Sequence, residues 1–399
     1  TLGEVMQATK NTLSSVYKLG FCLIGDPAVK MAYPEFGMKV TTVNGQSVDG
    51  NSISFKALEK ITVEGEVLDA SGQLVTDFTG IVNPTVKDSK VTVTCLKNSN
   101  KDDSPAFTFT DYPNTIFIGN DSVRNGKFSF TFTVPKDISY SNLQGKMNLY
   151  AVDTESGNEA QGNFDNFIVG GTSDTAETDT IGPEIRALYL NDTTFVDGGQ
   201  VNTTPYFVAE LWDKSGVNIT GSSVGHDMML VIDESTVLSY NLNSYYELLL
   251  GEDGTGIVKF PIPALEPGKH TAEFWVWDIL NNSTVRTFTF EVVEGLKPFL
   301  FDVIATPGIA REQVTFHLMH NRPESRMRVG IMVYDLAGRQ LWKHEESGTS
   351  GLFENYTVSW DLTSGGARMR PGVYIYRAAI STDNSKDATK ARKFIILDE

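Results

Sequence analysis

The stretch Phe128-Ser129-Phe130-Thr131-Phe132-Thr133-Val134 decides the fold class of this chain. Apolar side chains alternate strictly with hydroxyl side chains, which is the period of a β-strand that is buried on one face. A one-residue shift in register would place three phenylalanines in water, so the run specifies its own pairing. It therefore predicts an antiparallel β domain with a polar outer face.

Similar short runs, separated by Gly, Asn, Asp and Pro, continue on both sides of this stretch. Between residues 36 and 172 they predict a first β-sandwich domain, with strands at 55–69, 91–95 and 147–152. Residues 170–182 are rich in Gly, Ser, Thr and Asp and have no periodicity, so they predict a linker.

Two more β-sandwiches are predicted after the linker. Residues 183–296 predict an immunoglobulin-like sandwich with strands at 206–212, 228–232, 256–260 and 270–277. Trp275 and Trp277 share the parity of one strand, and we expect both in the core. Residues 297–399 predict a C-terminal immunoglobulin-like sandwich with strands at 314–318, 329–335, 356–362, 372–380 and 392–397. Its last strand is apolar on both faces, so we expect it to be buried on both sides.

Only the first 35 residues depart from the β pattern. Leu2, Val5, Met6, Leu13, Val16 and Tyr17 recur at helical spacing, and Thr1 with Glu4 fits a capping box. Four apolar residues at 21–24 then run into Gly25-Asp26-Pro27, which predicts the end of a strand followed by a helical turn. We interpret residues 1–35 as the remnant of an α/β domain. The predicted fold class is thus mainly β, with tandem immunoglobulin-like sandwiches preceded by a short helix-strand remnant of an α/β catalytic domain.

The apolar stripe of the opening helix should be covered, since an ordered apolar surface is normally buried against something. We expect it to pack on the first β domain or on a second copy of the chain.

Composition excludes several classes of function. The 399 residues carry a net charge of −17, which disfavours nucleic acid as a partner because phosphate contacts need clustered Lys and Arg. No apolar run approaches the length of a membrane span. The two cysteines, Cys22 and Cys95, are too few for a disulfide framework, and buried thiols or a single bridge both remain open.

The order of helix, short strand and Leu23-Ile24-Gly25-Asp26-Pro27-Ala28, followed by Ala32-Tyr33-Pro34, resembles the end of a known catalytic domain. The family is that of the gingipain cysteine peptidases, and most closely its type IX secretion system sortase, or PorU-like, branch. Residues 125–138, Gly225-His226-Asp227 and 371–374 extend the resemblance over the whole chain. The family's catalytic His and Cys lie upstream of this chain. The resemblance therefore implies a non-catalytic C-terminal region of a peptidase that is exported and held at the outer-membrane surface of a Bacteroidetes-type bacterium.

The predicted third sandwich carries a resemblance of its own. Its order V-x-I-x-V-Y-D-x-x-G-R, then W-D, then P-G-V-Y-x-Y-R, is similar to the immunoglobulin-like domain of the flagellar hook-cap protein and to C-terminal sorting domains of type IX secretion cargo. The pattern is widespread, so it indicates an architecture better than an activity.

One motif invites a catalytic interpretation. Gly221-Ser222-Ser223-Val224-Gly225 matches G-x-S-x-G, with His226 and Asp227 next. A nucleophile elbow needs a strand before the serine and a helix after it, whereas here a loop precedes and the β-like residues 228–232 follow. We interpret the stretch as a glycine-rich entry to a strand, with His226 bonded to a neighbouring loop.

No catalytic, cofactor-binding or metal residue is assigned from the sequence. The five histidines lack zinc-site spacing. Asp102-Asp103, or Asp77 with Asp88, could hold a structural calcium ion, although solvated turns are the commoner use of such residues. The trio Trp212, Trp275 and Trp277 could form a sugar-stacking platform, and core packing is the alternative.

Two hypotheses about function remain. In the first, the chain positions a gingipain-like peptidase or secretion sortase and docks its cargo or an outer-membrane partner. In the second, it is a free-standing, adhesin-like array of immunoglobulin-like domains at the cell surface. The opening helix and Gly-Asp-Pro strand have no purpose in a β-only adhesin, which favours the first.

Overall fold

The computed structural model describes residues 1–29, 33–97, 105–174, 179–221, 225–249, 254–382 and 384–397. They form two compact units, of which the first comprises Thr1–Val134 and Ser139–Ser173 and the second comprises Pro135–Ile138 and Asp174–Glu399. The change of unit after Ser173 falls inside the segment whose composition predicts a linker. Strands are the predominant regular secondary structure of both units, which confirms the mainly β class.

The first unit opens with one α-helix, α1 (Leu2–Thr12), and a 3-10 helix at Val16–Gly20. Its strands are β1 (Phe36–Val43), β2 (Gln46–Ser47), β3 (Ile53–Ala57), β4 (Lys60–Leu68), β5 (Gly80–Lys87), β6 (Val91–Thr94), β7 (Thr108–Asp111), β8 (Thr115–Ile118), β9 (Asp121–Arg124), β10 (Lys127–Thr133), β11 (Leu143–Gln144), β12 (Lys146–Asp153), β13 (Glu159–Phe164) and β14 (Phe167–Thr172).

Seven strands of the first unit close into a barrel. The pairing runs β12-β13-β1-β4-β10-β9-β5, and β5 pairs in turn with β12 from Gly80↔Asp153 to Lys87↔Lys146. Strands β11, β14 and β3 form a separate small sheet, and β6 with β7 forms a separate hairpin. The architecture thus differs from the sandwich predicted for residues 36–172, because β12 has a partner at both of its edges and the main sheet closes on itself.

The stretch that decides the fold class lies inside this barrel as β10. Phe128, Phe130 and Phe132 are 3%, 3% and 5% exposed, so the predicted face and register are confirmed. On the neighbouring strand β4, a Cβ atom added to Gly65 would lie 2.2 Å from Cζ of Phe128. Glycine is therefore required at position 65 to make room for the aromatic ring.

The opening segment agrees with the sequence only in part. The capping box between Thr1 and Glu4 is present, and the Asp26 carboxylate accepts a hydrogen bond of 2.8 Å from the N–H of Ala28. Residues 21–24, however, form no strand, and Ile24 is 98% exposed. The predicted strand is wrong for this chain because a strand needs a neighbour, and no described residue pairs with this run.

The strands of the second unit are β15 (Glu184–Leu190), β16 (Gln200–Val201), β17 (Tyr206–Trp212), β18 (Met229–Ile232), β19 (Ser239–Asn241), β20 (Tyr246–Leu248), β21 (Thr255–Pro261), β22 (Gly268–Trp277), β23 (Ser283–Val292), β24 (Leu300–Thr306), β25 (Ile309–Ala310), β26 (Val314–His320), β27 (Met327–Tyr334), β28 (Gln340–Gly348), β29 (Tyr356–Trp360), β30 (Thr363–Ser364), β31 (Ala367–Arg368), β32 (Gly372–Ser381) and β33 (Ala388–Ile396). A short 3-10 helix lies at Asn243–Tyr245.

These strands build two sandwiches in succession. In the first, the sheet β15-β17-β21-β20 faces the sheet β16-β23-β22-β18-β19, and the rings of Phe207 and Phe274 meet between them at 5.1 Å. In the second, β24-β26-β29 faces β25-β33-β32-β27-β28, and Phe316 meets Tyr376 at 4.9 Å. Both repeat one scheme, in which a short strand (β16 or β25) pairs in parallel with the last strand.

A buried arginine lies where the two sandwiches join. Arg322 is 1% exposed, and its guanidinium donates hydrogen bonds to the carbonyl oxygens of Leu296 and Lys297, the residues that connect the sandwiches.

The final strand, β33, lies in the interior of its sheet between β25 and β32. Phe394 and Ile396 are buried, whereas Ile395 is half-buried and Leu397 is 37% exposed. Burial on one face is confirmed, and the expectation of burial on both faces is wrong at Leu397.

Candidate docking surfaces

Residues 2–29 and 33 present an uncovered apolar surface. No residue of α1 is buried, and Val5 and Leu13 of the predicted stripe are 53% and 45% exposed. The expected packing of this stripe on the first β domain is therefore wrong, and its packing on a second copy of the chain stays a prediction. The exposed large apolar residues of the segment are Val5, Leu13, Val16, Tyr17, Leu19, Phe21, Ile24, Val29 and Tyr33. A contiguous segment with so many of them is typical of a surface that another protein element covers.

The hairpin of β6 and β7 is a second apolar surface in the first unit. Phe109 is paired with Val93 on one face of the hairpin, and Phe107 stacks on Phe109 with ring centroids 6.5 Å apart. Phe107 is 71% and Phe109 is 41% exposed. The opposite face carries only threonines, at positions 92, 94, 108 and 110. A two-stranded hairpin is marginal in water by itself, so its bare apolar face fits contact with another surface.

The serine-hydrolase motif is not assembled among the described residues. His226 Nδ1 lies 2.6 Å from a carboxylate oxygen of Asp137, not of Asp227, and its ring lies against Trp277. The Asp227 carboxylate accepts a hydrogen bond from Asn243 instead. Ser222 and Ser223 lie outside the described residues. His226 thus bonds to a neighbouring segment, as the structural interpretation of the motif predicts.

Three aspartates that the sequence did not single out meet in the second unit. Carboxylate oxygens of Asp179, Asp213 and Asp278 lie within 4.8 Å of one another, and no other three His, Cys, Asp or Glu side chains in the described ranges meet as closely. Asp213 is 5% and Asp278 is 0% exposed. Such an arrangement of hard oxygen donors can accept a shared proton or a cation of the calcium type.

Burial dominates the electrostatics of this cluster. It raises the pKa of Asp213 to about 6; hydrogen bonds from the N–H groups of Ser215 and Gly216 oppose the rise, and the charges of Asp278 and Asp179 add to it. Burial also raises the pKa of Asp278. The turns D-x-S-G at 213–216 and D-x-x-N-N at 278–282 were the available sequence signals, but they do not show that the loops meet.

The carboxylates first considered for calcium behave differently. Both oxygens of Asp88 are used within the first unit, where one accepts hydrogen bonds from the N–H and the hydroxyl of Ser139 and the other accepts one from the N–H of Ser89. Asp77 joins no described group of three metal-type donors. Asp102 and Asp103 lie outside the described residues.

Three of the five histidines form pairs with carboxylates. His226 binds Asp137, His270 binds Asp233 and His344 binds Glu346, at 2.6, 2.6 and 2.9 Å.

Cys22 is exposed, Cys95 is half-buried and both are free thiols, so buried thiols and a bridge are both wrong for this chain.

The tryptophans do not form a single platform. Trp275 and Trp277 share a face of β22 as expected, but Ala272, Phe274 and Val276 fill the core and the two indoles lie half-buried on the opposite face. Core packing is therefore wrong for these two residues. Trp212 belongs to the other sheet and stacks under Arg186, so the trio is not brought together.

Comparisons with known proteins give one informative match. No family model matches the chain, and a search of curated proteins finds no relative. A crystal structure of dimeric latent PorU from Porphyromonas gingivalis is 37% identical, over 100% of this chain and 38% of that chain, with a TM-score of 0.42. The chain is similar to PorU along its whole length. It spans well under half of that protein.

Other solved structures are remote. The tetra-tandem repeat in the extending region of a large adhesion protein is 14% identical over 92% of this chain and 74% of that chain, with a TM-score of 0.19. The FN1–FN3 domains of chicken CNTN1 are 7% identical over 91% and 98%, also with a TM-score of 0.19.

In the part of the chain that the structure describes, no helix has the length and apolar character needed to cross a bilayer.

Proposed function

We propose that this chain is the non-catalytic C-terminal region of a gingipain-like cysteine peptidase, of the type IX secretion sortase branch that includes PorU. The identity of 37% along all 399 residues supports the relation, and the match to 38% of the longer protein supports a parent with further domains. The parent is exported and held at the outer-membrane surface under this proposal. The chain by itself is not an enzyme.

The uncovered apolar surface of residues 2–29 and 33 is the observation that carries the proposal. Nine large apolar side chains that include Val5, Val16 and Ile24 are exposed there. Leaving a large aliphatic side chain in water forgoes roughly 1.5–3 kcal/mol relative to full burial, so a stretch of this kind is explained by a covering element. In the parent, the α/β catalytic domain supplies that cover, and this segment with its helix α1 is the C-terminal end of that domain.

The strand order of the second unit supports an immunoglobulin-like assignment for both sandwiches. One sheet, β15-β17-β21-β20, has the order A-B-E-D, and the other, β16-β23-β22-β18-β19, has the order A′-G-F-C-C′. The sheet β25-β33-β32-β27-β28 repeats the second order. Such sandwiches serve many functions, so they support a scaffold and no particular chemistry.

The scaffold acts in docking under the same proposal. The apolar face of the β6–β7 hairpin offers a contact for the enzyme, its cargo or an outer-membrane partner, because Phe107 and Phe109 are held in solvent there.

The test is to read the coding sequence directly upstream of Thr1 and to express the chain with and without the segment found there. We expect an upstream α/β domain with a His and a Cys nucleophile, peptidase activity only in the longer protein, and protection of α1 amides from hydrogen exchange only when that domain is attached. A signal peptide directly upstream, or unchanged exchange of α1, would instead favour the free-standing adhesin, for which the repeated sandwiches are the supporting observation.

A further inference from the structure

A loop of the last sandwich separates two pockets of the second unit. The loop at residues 350–355 follows β28, and its Leu352 packs against the apolar cluster of Tyr189, Val208 and Ile257 in the preceding sandwich. One pocket lies on each side, and both are lined by Gly351, Leu352 and Glu354. The loop is thus a ridge between two neighbouring cavities.

Hydrogen bonds fix the shape of this ridge. The N–H of Arg322 donates to Nδ1 of His320, so Nε2 of His320 carries the proton and donates to Oγ of Ser350 at 2.9 Å. The N–H of Glu324 donates to the carbonyl oxygen of Ser350 at 2.9 Å. Burial, assisted by the charge of Arg322, lowers the pKa of His320 to about 4, so this anchor stays neutral and intact at physiological pH. The walls are therefore preformed and need little ordering when a ligand binds.

The first pocket is apolar. Its volume is about 210 Å³, and its walls include Tyr189, Phe301, Met319, Pro323 and Phe353. Phe353 is 68% exposed and has a φ of +65°, an uncommon conformation for an aromatic residue. The structure thus holds a strained backbone and a solvated ring beside an apolar cavity, which is the combination that functional contacts retain.

The second pocket is acidic with aromatic walls. Its volume is about 440 Å³, and it is lined by Tyr206, Tyr245, Glu247, Lys259, Glu324 and Glu354. Lys259 is engaged by Glu247 at 2.7 Å. Glu324 makes no ion pair among the described residues, and Glu354 receives only the N–H of Gly351 at 3.1 Å.

The field in this pocket is negative. Burial raises the pKa of Tyr206, and the charges of Glu324 and Glu247 raise it further. Two carboxylates beside tyrosine rings match the chemistry of a guanidinium or ammonium group, which takes charge-assisted hydrogen bonds and stacks on aromatic faces.

We propose that the two pockets form one docking groove for a segment of a partner protein that carries an apolar side chain next to an arginine or lysine. The apolar side chain enters the pocket at Phe301 and Met319, and the cation reaches Glu324 and Glu354 across the ridge. The groove lies wholly within the second unit, so its occupancy is independent of the activity proposed for the parent protein.

The test is an NMR titration of the full chain with the blocked dipeptide acetyl-Phe-Arg-amide. We expect saturable chemical-shift changes at the Gly351 and Leu352 amides, and we expect the peptide to bind more weakly as the salt concentration is raised. Acetyl-Phe-citrulline-amide, which has the same shape without the charge, should bind about tenfold more weakly because it loses the charge-assisted bonds. Acetyl-Ala-Arg-amide should also bind more weakly, since it leaves the apolar pocket empty.

The matched variants are Glu324→Gln and Glu312→Gln, both at exposed carboxylates. Glu324→Gln should weaken the arginine peptide about as much as the citrulline exchange does, and Glu312→Gln should leave it unchanged; equal thermal melts would show that both variants are folded. Equal binding of the arginine and citrulline peptides, equal effects of the two variants, or the absence of saturable shifts would each overturn the acidic pocket as a cation site. Equal binding of the Phe and Ala peptides would overturn the two-pocket groove.

Discussion

In the first unit, residues 2–29 and 33 and the β6–β7 hairpin hold aromatic and aliphatic side chains in water, whereas the cluster around Asp213 and Asp278 in the second unit brings buried carboxylates together. Ile24 in the first unit is 98% exposed, while Asp278 in the second is 0% exposed. Both conditions cost free energy, but of different kinds, because one forgoes apolar burial and the other desolvates charge. We therefore expect different responses from the two regions: the apolar surface should respond to burial by another protein element, and the aspartate cluster should respond to protons or small ions.

Among the changes that separate the two units, deleting residues 390–399 should have the largest effect on stability. The deletion removes most of β33, an interior strand, together with buried Phe394 and Ile396. Loss of those two side chains alone is worth roughly 3–6 kcal/mol, a large part of the stability of one domain. The last sandwich should unfold while the barrel remains folded. A thermal melt with limited proteolysis measures this, and unchanged protease resistance after residue 297 would show that β33 is dispensable.

The same substitution at two phenylalanines separates covered from uncovered surface within the first unit. Phe130→Ala, in the barrel core, should lower the free energy of unfolding by about 3–5 kcal/mol. Phe107→Ala, on the exposed face of the hairpin, should change it by less than about 0.5 kcal/mol in the isolated chain. Urea unfolding of both variants gives the two values. A large effect at Phe107 would mean that the hairpin face is covered after all.

The aspartate cluster should make stability depend on pH. Because the pKa of Asp213 is about 6 in the folded chain and near 3.8 when unfolded, the folded state holds an extra proton between those values. Stability from this group is therefore lost as pH rises from about 4 to about 6, by at most about 3 kcal/mol. Asp213→Asn keeps an oxygen acceptor for Ser215 and Gly216 and should remove that loss.

The measurement compares thermal melts of the unsubstituted chain and of Asp213→Asn at pH 4.5 and pH 7.5 in chelator-treated buffer. As pH rises, the melting temperature of Asp213→Asn should increase relative to that of the unsubstituted chain. Parallel pH curves for the two proteins would contradict the raised pKa. Asp335→Asn is the control, since backbone hydrogen bonds lower the pKa of this half-buried carboxyl and the variant should show no such gain.

The smallest effect on stability is expected in the opening segment. Leu13→Ser with Val16→Ser removes exposed apolar groups that make no buried contact, so the melting temperature should hardly change. Binding of a hydrophobic dye should fall, because the uncovered surface becomes smaller. A clear loss of stability would show that these residues pack on another part of the chain in solution.

How much of this was predictable differs from element to element. Strict alternation at 128–134 was enough to predict a strand and its buried face, since the period of a strand is set by the backbone. Closure of the barrel could not be predicted. It depends on the pairing of β12 with β5, which lies about 60 residues earlier in the chain, and no local pattern encodes that pairing. Parity correctly placed Trp275 and Trp277 on one face. It could not tell which face is the core, because Phe274 and Val276 are also apolar.

The candidate sites were harder to predict from the sequence than the strands were. Asp179, Asp213 and Asp278 come from three loops that only the fold brings together, and each alone is an ordinary turn residue. The G-x-S-x-G motif was correctly set aside from its context, but the partner of His226 is Asp137, 89 positions away in sequence. Short motifs describe local backbone well and describe tertiary partners poorly.

The interior position of β33 also dictates when the last sandwich can form. Until residue 396 has been synthesised, β32 has one bare edge and the cluster around Phe316 lacks Phe394. The sheet therefore cannot be completed from its N-terminal side while translation proceeds, because β32 keeps an unpaired edge until β33 has been made.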